Sequence, residues 1–217
     1  MKKNYRVYWL IGLLILSTGC IAAPINRYNA ALYHDQGLLA EKNDDFLAAK
    51  KCYDRALMYM RMGSAPKAGI SMGAYNLGRV AGYLCDFDIA EQLLLESLRL
   101  QEAVPSSDDP DHAILSMRFF EIARFYYDLG RYKEAIPYLE RGIPIAESLD
   151  VESIDPIAYA NVLDEYVIAL KQTNDFDWAQ EIEAKAGKIR SSHAGQNPVL
   201  IPRRYNQNCK EALNEEK

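Results

Sequence analysis

The sequence predicts an all-α protein, a stack of about four helix-turn-helix units with about eight helices. Three observations predict it. Four segments, NDDFLAAKKCYDRA, LCDFDIAEQLLLES, LGRYKEAIPYLERG and TNDFDWAQEIEAKA, share an aromatic residue, an Ala three positions on and a small residue seven beyond that. These are Phe46/Ala49/Ala56, Phe87/Ala90/Ser97, Tyr132/Ala135/Gly142 and Phe176/Ala179/Ala186, with the Ala positions 41, 45 and 44 residues apart. A further small residue stands twelve before the Ala in three copies (Gly37, Gly78, Ala123), with Val167 in the fourth, and prolines recur at Pro24, Pro66, Pro110 and Pro156. A fixed period of this length marks a stacked supersecondary unit.

Composition bounds the function classes. Of 217 residues 49% are hydrophobic, too many for a disordered chain. Only one uncharged stretch approaches spanning length, which excludes a polytopic membrane protein. With 25 Lys+Arg against 30 Asp+Glu the net charge is −5, and no basic block suggests a nucleic-acid surface. Four cysteines are too few for a disulfide framework.

Residues 1–19 read as a cleavable leader and 20–26 as a linker. Lys2, Lys3 and Arg6 form a basic start, Val7 to Leu16 an uncharged run of ten, and Ser17, Thr18 and Gly19 lead into Cys20. This ending resembles the lipobox of bacterial lipoproteins, which implies that Cys20 becomes the lipidated first residue of a chain held at the cell envelope. Ser17 stands where the strongest lipoboxes carry Leu, and Leu16 lies one place farther away. Ile21 follows the Cys; in a Gram-negative source the resemblance favours the outer membrane, facing the periplasm. Two alternatives stand beside it: an ordinary secretory signal cut near Ala22-Ala23, or an uncleaved anchor from Val7 to Ala23. Loss of the three leader cations, 25 to 22 against 30 acids, takes the body to about −8. An acidic body avoids anionic lipid, which leaves membrane contact to the acyl chains.

The repeat region spans 27–192, with units at about 27–62, 66–103, 110–149 and 156–191. Each reads as two helices. In the third, Tyr132, Ala135, Ile136, Leu139, Ile143, Ala146 and Leu149 follow the i, i+3, i+4 spacing of an amphipathic helix, with Gly142 on the same face. The prolines suit first turns of the leading helices, where a missing N–H costs nothing, and Asp109 and Asp155 are candidate N-caps. KNDD, DLGR and QTND are the turns between paired helices. Small residues let those helices approach closely while Phe46, Phe87, Tyr132 and Phe176 fill the turns.

The pattern resembles the tetratricopeptide repeat (TPR) over residues 27–191, in a long form similar to kinesin-light-chain-like repeats. The resemblance implies a right-handed superhelix. The fourth unit departs most: Glu183 stands where Tyr53, Leu94 and Leu139 stand in the others, which suits a solvated capping unit. It also implies a concave groove lined by the leading helices, with Met72, Tyr75, Arg79 and Tyr83 from the second unit and Met117, Phe120, Arg124 and Tyr127 from the third. His34, Glu41, Asn161, Asp164 and Lys171 flank them. Arg79 and Arg124 occupy equivalent places among aromatics, so they could grip an extended peptide bearing a carboxylate. The Lys and Asn pattern of the chaperone-type carboxylate clamp is absent.

The implied role is a lipid-anchored, non-enzymatic binding module that holds a peptide or protein partner during envelope, pilus or secretion-complex assembly. A scaffold that dimerises through its convex helices is the alternative. A remote third is a serine hydrolase, because Gly69-Ile70-Ser71-Met72-Gly73 matches the G-x-S-x-G string. That motif needs a strand before the Ser, and here the flanking residues read as a helix. His34, His112, His193 and the cysteines show no metal-ligand spacing, so neither metal nor cofactor is expected. Cys52 and Cys85 read as buried small hydrophobes, with a disulfide from Cys209 to either left open. Residues 193–217 form a polar tail in which Pro198 and Pro202 exclude a continuous helix; a disordered tail and a cap of Val199-Leu200-Ile201 folded back over the last helix are both open, and the tail is read as loosely docked.

Overall fold

Four turns of one geometry divide the chain. A computed structural model describes residues 5–105, 107, 112–205, 207 and 209, with side chains from residue 22 onward. Two positions before each repeat aromatic stands a left-handed residue: Asp44 (φ 59°), Cys85 (67°), Gly130 (72°) and Asn174 (65°). The N–H of the next residue then reaches back five positions, from Asp45 to Ala40, Asp86 to Ala81, Arg131 to Tyr126 and Asp175 to Leu170, at 2.9–3.0 Å. This satisfies carbonyls that a helix end leaves open. Gly, Asn and Asp accept the left-handed region readily; Cys does not.

The turns connect helices α1 (Tyr5–Lys42) to α2 (Phe46–Met62), α3 (Lys67–Tyr83) to α4 (Phe87–Glu102), α5 (Ala113–Asp128) to α6 (Tyr132–Ser148), and α8 (Pro156–Gln172) to α9 (Phe176–Ser192). A single-turn helix, α7 (Val151–Ile154), fills the last connection. The described residues thus hold the eight expected helices plus α7, and no strand. Within each pair the helices are antiparallel neighbours. The pairs stack in sequence, α2 on α3, α4 on α5 and α6 on α8, as a right-handed superhelix.

Local chemistry sets the helix starts. Asp45, Asp155 and Asp175 accept hydrogen bonds from the N–H of Ala48, Ala158 and Trp178. Pro66 caps α3 and Pro156 opens α8, as the missing N–H of Pro favours. Pro24 departs from that expectation, because it lies inside α1. The helix continues upstream through the apolar residues before it, and Pro24, exposed, forgoes the bond to the carbonyl four residues back. Residues 20–26 also lie within α1. Asp109 and Pro110 fall outside the described residues. Among the described residues no helix is long and apolar enough to cross a membrane.

The repeat positions make the core. Ala49, Ala90, Ala135 and Ala179 are fully buried, as are Ala56 and Ser97. The small residues on the leading helices admit what crosses them. A Cβ on Gly37 would lie 2.5 Å from the Tyr53 ring, and one on Gly78 would lie 3.2 Å from the backbone N of Leu94. Phe46 is buried at its turn, but Phe176 is 59% exposed. No further unit covers the end of the stack among the described residues, so the fourth aromatic has nothing to fill.

The Gly78 contact predicts a stability difference. Gly78→Val must push on the α4 backbone and should destabilise the fold by about 2 kcal/mol. Gly187 is mid-helix in α9 with nothing within 4 Å of a Cβ, so Gly187→Ala should stabilise by about 0.5–1 kcal/mol. Urea midpoints should therefore move in opposite directions; movement in the same direction would contradict the packing account.

Candidate functional site

The leading helices bring their i, i+4 faces to one concave cavity of 420 Å³. Tyr75, Arg79 and Tyr83 project from α3, and Met117, Phe120, Glu121 and Arg124 from α5. Glu41 of α1, Val151 of α7 and Ala158, Tyr159 and Val162 of α8 complete these walls. The remaining wall is Leu200, Ile201, Pro202 and Arg203, the C-terminal segment of the same chain.

Six of the eight groove residues expected from the resemblance line this cavity. Met72 and Tyr127 do not. The Met72 sulfur meets the Arg118 guanidinium at 3.6 Å, and Tyr127 packs edge-on against Tyr132. Of the flanking residues Glu41 lines the cavity, His34 meets the Asn76 amide at 3.0 Å, Asn161 and Asp164 bind Arg190, and Lys171 binds Glu183. The last three join neighbouring helices and are not free to a ligand. Cys20 lies outside the described side chains.

Electrostatics change the reading of the two arginines. Arg79 is paired with Glu41, and Arg124 Nη1 donates to Glu121 Oε2 at 3.0 Å. Glu121, only 5% exposed, also accepts from the Tyr75 hydroxyl at 3.0 Å and from the Tyr205 hydroxyl. The chain itself therefore supplies the carboxylates that the arginines were expected to find in a peptide. Burial pushes the Glu121 carboxyl up, but the charges of Arg124 and Arg79 and the bonds from Tyr205 and Tyr75 outweigh it and hold it below its ordinary range. Burial first, then the Glu121 charge, raises the Tyr75 hydroxyl to about 12 and the Tyr205 hydroxyl well above its usual value. Arg118 of α5 is buried with its guanidinium 3.9 Å from the Tyr75 ring centre.

The tail is where expectation and structure part most. In place of loose docking, residues 199–205 run as a strap over the groove and, with Cys209, contact every unit. Asp155 Oδ2 accepts the N–H of Val199 and of Leu200, both at 2.9 Å. Arg203 pairs with Asp44 and lies 4.6 Å from the Phe46 ring centre. Arg204 pairs with Asp128 and Glu165 over the Tyr127 ring. Tyr205 is fully buried. Its N–H donates to Asp128 at 2.8 Å, and its ring stacks on Tyr83 and meets Phe125 edge-on. A Cβ on Gly82 would lie 2.5 Å from that ring, so Gly82 forms the notch that receives it.

A disulfide between Cys85 and Cys209 closes the strap. Cys85 is thus a cross-link and not a buried small hydrophobe, while Cys52 is free and partly buried. Residues 196–204, around Pro198 and Pro202, carry no helix, and extended chain with free N–H groups is what the carboxylates on the groove rim can bind. Sequence reading missed Glu121 and the rim carboxylates as groove residues, and left the partner of Cys209 open between Cys52 and Cys85. One signal for the last was available: Cys85 holds the turn position taken by Asp, Gly and Asn in the other units.

The G-x-S-x-G string carries no nucleophile. Ser71 sits inside α3, fully buried, with its hydroxyl donating to the Ser97 carbonyl at 2.9 Å. A second hollow of 520 Å³ lies among α6, α8 and α9, between Ile143, Tyr166, Trp178 and Ile182, and is rimmed by Glu140, Glu147, Glu181 and Lys185. Among the described residues no group of His, Cys, Asp and Glu is placed to hold a metal ion.

Comparison with known proteins agrees with the helical-repeat fold. Residues 69–148 match the tetratricopeptide repeat family. Among solved structures the chain is similar to BtubC (BKLC) from P. vanneervenii, with 21% identity over 81% of this chain and 67% of that one and a TM-score of 0.67. It is similar to a putative kinesin light chain with nearly identical TPR-like repeats from Podosopora anserina, with 18% identity over 88% and 93% and a TM-score of 0.59. RapI in its apo form is similar at 15% identity over 77% of this chain and 57% of its own, with a TM-score of 0.62. Identities this low establish the fold: a TPR-type superhelix. No protein of curated function matches the sequence.

The buried carboxylate gives the site a pH signature. Because the folded Glu121 pKa lies below its ordinary 4.5, its stabilisation is complete above that value and is lost as pH falls through the folded pKa. Asp128, raised chiefly by burial, acts in the opposite sense, so the difference between variants is the informative quantity. Glu121→Gln should lower stability at pH 7 by about 3 kcal/mol, because Arg124 loses its buried partner. It should also flatten the loss of urea resistance below pH 4.5 relative to wild type. Parallel acid limbs would show that Glu121 is not held ionised.

Proposed function

We propose that this protein is a lipid-anchored binding module of the cell envelope, tethered through Cys20, whose concave face holds an extended segment of a protein partner. A TPR-type stack is a protein-interaction architecture, with its leading helices forming a continuous surface. The observation that carries the reading is the strap: the groove already holds an extended peptide, the chain's own, through backbone and side-chain contacts to every unit. The leader and Cys20 support placement in an oxidising compartment, as does the Cys85–Cys209 disulfide. An acidic body on an acyl anchor would stand off the lipid surface and present the groove to assembling envelope, pilus or secretion components.

One experiment tests both halves. A photocrosslinking residue is placed at Met117, half-exposed in the groove, or at Leu47 on α2, which does not line the cavity. Cells are labelled with radioactive palmitate. Partner crosslinks should come from position 117 and not from 47, and palmitate should label the wild type but not Cys20→Ala. Crosslinks from 47 alone overturn the groove; labelling independent of Cys20 overturns the anchor.

A further inference from the structure

The strap records what chemistry the concave face accepts. Arg79 and Arg124 are neutralised by Glu41 and Glu121. What faces the strap is therefore acidic: Asp44 from the first turn, Asp128 from α5, and Asp155 and Glu165 from the last unit. With the strap lifted, these carboxylates lose Arg203 and Arg204, and the surface becomes an anionic track ending in an aromatic notch. That notch, between Tyr83, Phe125 and Gly82, fits a flat ring with a hydroxyl reaching Glu121.

The strap is also held unevenly. Val199, Leu200 and Ile201 are 87%, 65% and 78% exposed. Arg203 and Asp44 form a solvent-facing pair, of a kind that contributes about 0–1 kcal/mol. Among the described residues of the strap only Tyr205 and Cys209 are buried. A cavity of 420 Å³ remains between the strap and the walls from α3, α5 and α8, so the strap roofs the groove without filling it. Cys85 keeps a left-handed backbone (φ 67°) that Cys adopts less readily than the Asp, Gly or Asn that serve at this turn elsewhere. The backbone cost is tolerated at the residue that locks the strap.

We infer that the groove's partner is an extended segment bearing two consecutive arginines followed by an aromatic residue, which takes the strap's place when the Cys85–Cys209 disulfide is reduced. This rests on the groove reading above and specifies its ligand and its control. Reduction needs a dithiol protein as co-reactant. Its two thiols give up two electrons and two protons and join as a disulfide, while the Cys85–Cys209 bond breaks into two thiols. While the disulfide stands, the strap is covalently tethered at the notch and a partner in free solution cannot compete. Once it opens, the strap competes only through its linker-limited effective concentration.

The probe is a fluorescein-labelled peptide of the strap's own sequence, VLIPRRYNQ, titrated into the whole chain by fluorescence anisotropy. The oxidised protein is compared with dithiothreitol-reduced protein and with Cys209→Ser, so that opening is reached with and without a substitution; circular dichroism checks that helix content is unchanged. The reduced chain and Cys209→Ser should bind at least tenfold more tightly than the oxidised chain. Reversing both peptide arginines to Glu, or changing its Tyr to Ala, should cost at least tenfold. Equal binding in both redox states, equal binding of the Arg-to-Glu peptide, or strap exchange into dimers that ignore the peptide overturns the inference. If it fails while Met117 still crosslinks to a partner, the groove stands and only this ligand chemistry falls; if both fail, the groove reading falls with it.

Discussion

The carboxylate of Glu121 is where the stack and its strap become one object. It is buried on α5, yet it holds Arg124 on its own helix, Tyr75 on the preceding unit and Tyr205 on the strap. A carboxylate removed from water is costly unless its oxygens are bonded and its charge opposed, and here both conditions are met by residues from three separate segments. Losing any one partner leaves the others with an uncompensated buried group. That interdependence fixes the spacing of α3 and α5 at the centre of the concave face.

A repeat stack is otherwise a one-dimensional body. Each pair of helices contacts only its neighbours, so curvature is the sum of small local rotations and the ends open most easily. The strap adds contacts of another order: Arg203 reaches Asp44 across 159 positions, Cys209 reaches Cys85 across 124, and Tyr205 reaches Glu121 across 84. Closing long loops by a disulfide restricts the unfolded chain as well as the folded one. The concave face is thereby held at one curvature, and its acidic rim is kept occupied.

The repeat was legible in the sequence because it recurs. The positions of Ala49, Ala90, Ala135 and Ala179, and of Gly37, Gly78 and Ala123, each follow from helix pairs that must approach closely, and that demand is the same in every unit. Groove residues such as Tyr75, Arg79, Phe120 and Arg124 were legible because the resemblance to the tetratricopeptide repeat assigns those positions of the leading helices to the concave face. Their partners were not. Glu41 and Glu121 sit at no shared repeat position, and nothing in the local pattern says which arginine a carboxylate will meet. The strap left no periodic trace, since its contacts are single, distant and made by extended chain. Phe176 looked like its three counterparts, yet it stands exposed, with no further unit among the described residues to bury it.

The central claim is that the strap turns four nearest-neighbour units into a single cooperative body. Native-state hydrogen exchange followed by mass spectrometry tests it directly, by comparing wild type with the double variant Tyr205→Ala, Cys209→Ser. The account predicts that in the wild type the amides of α1–α2 and α8–α9 open with nearly the same free energy as those of α3–α6. In the variant the terminal pairs should exchange faster by at least about tenfold while the central helices change less. Unchanged protection of α1–α2 and α8–α9 in the variant would contradict it, and would leave the strap as a passenger on a stack that holds its own shape.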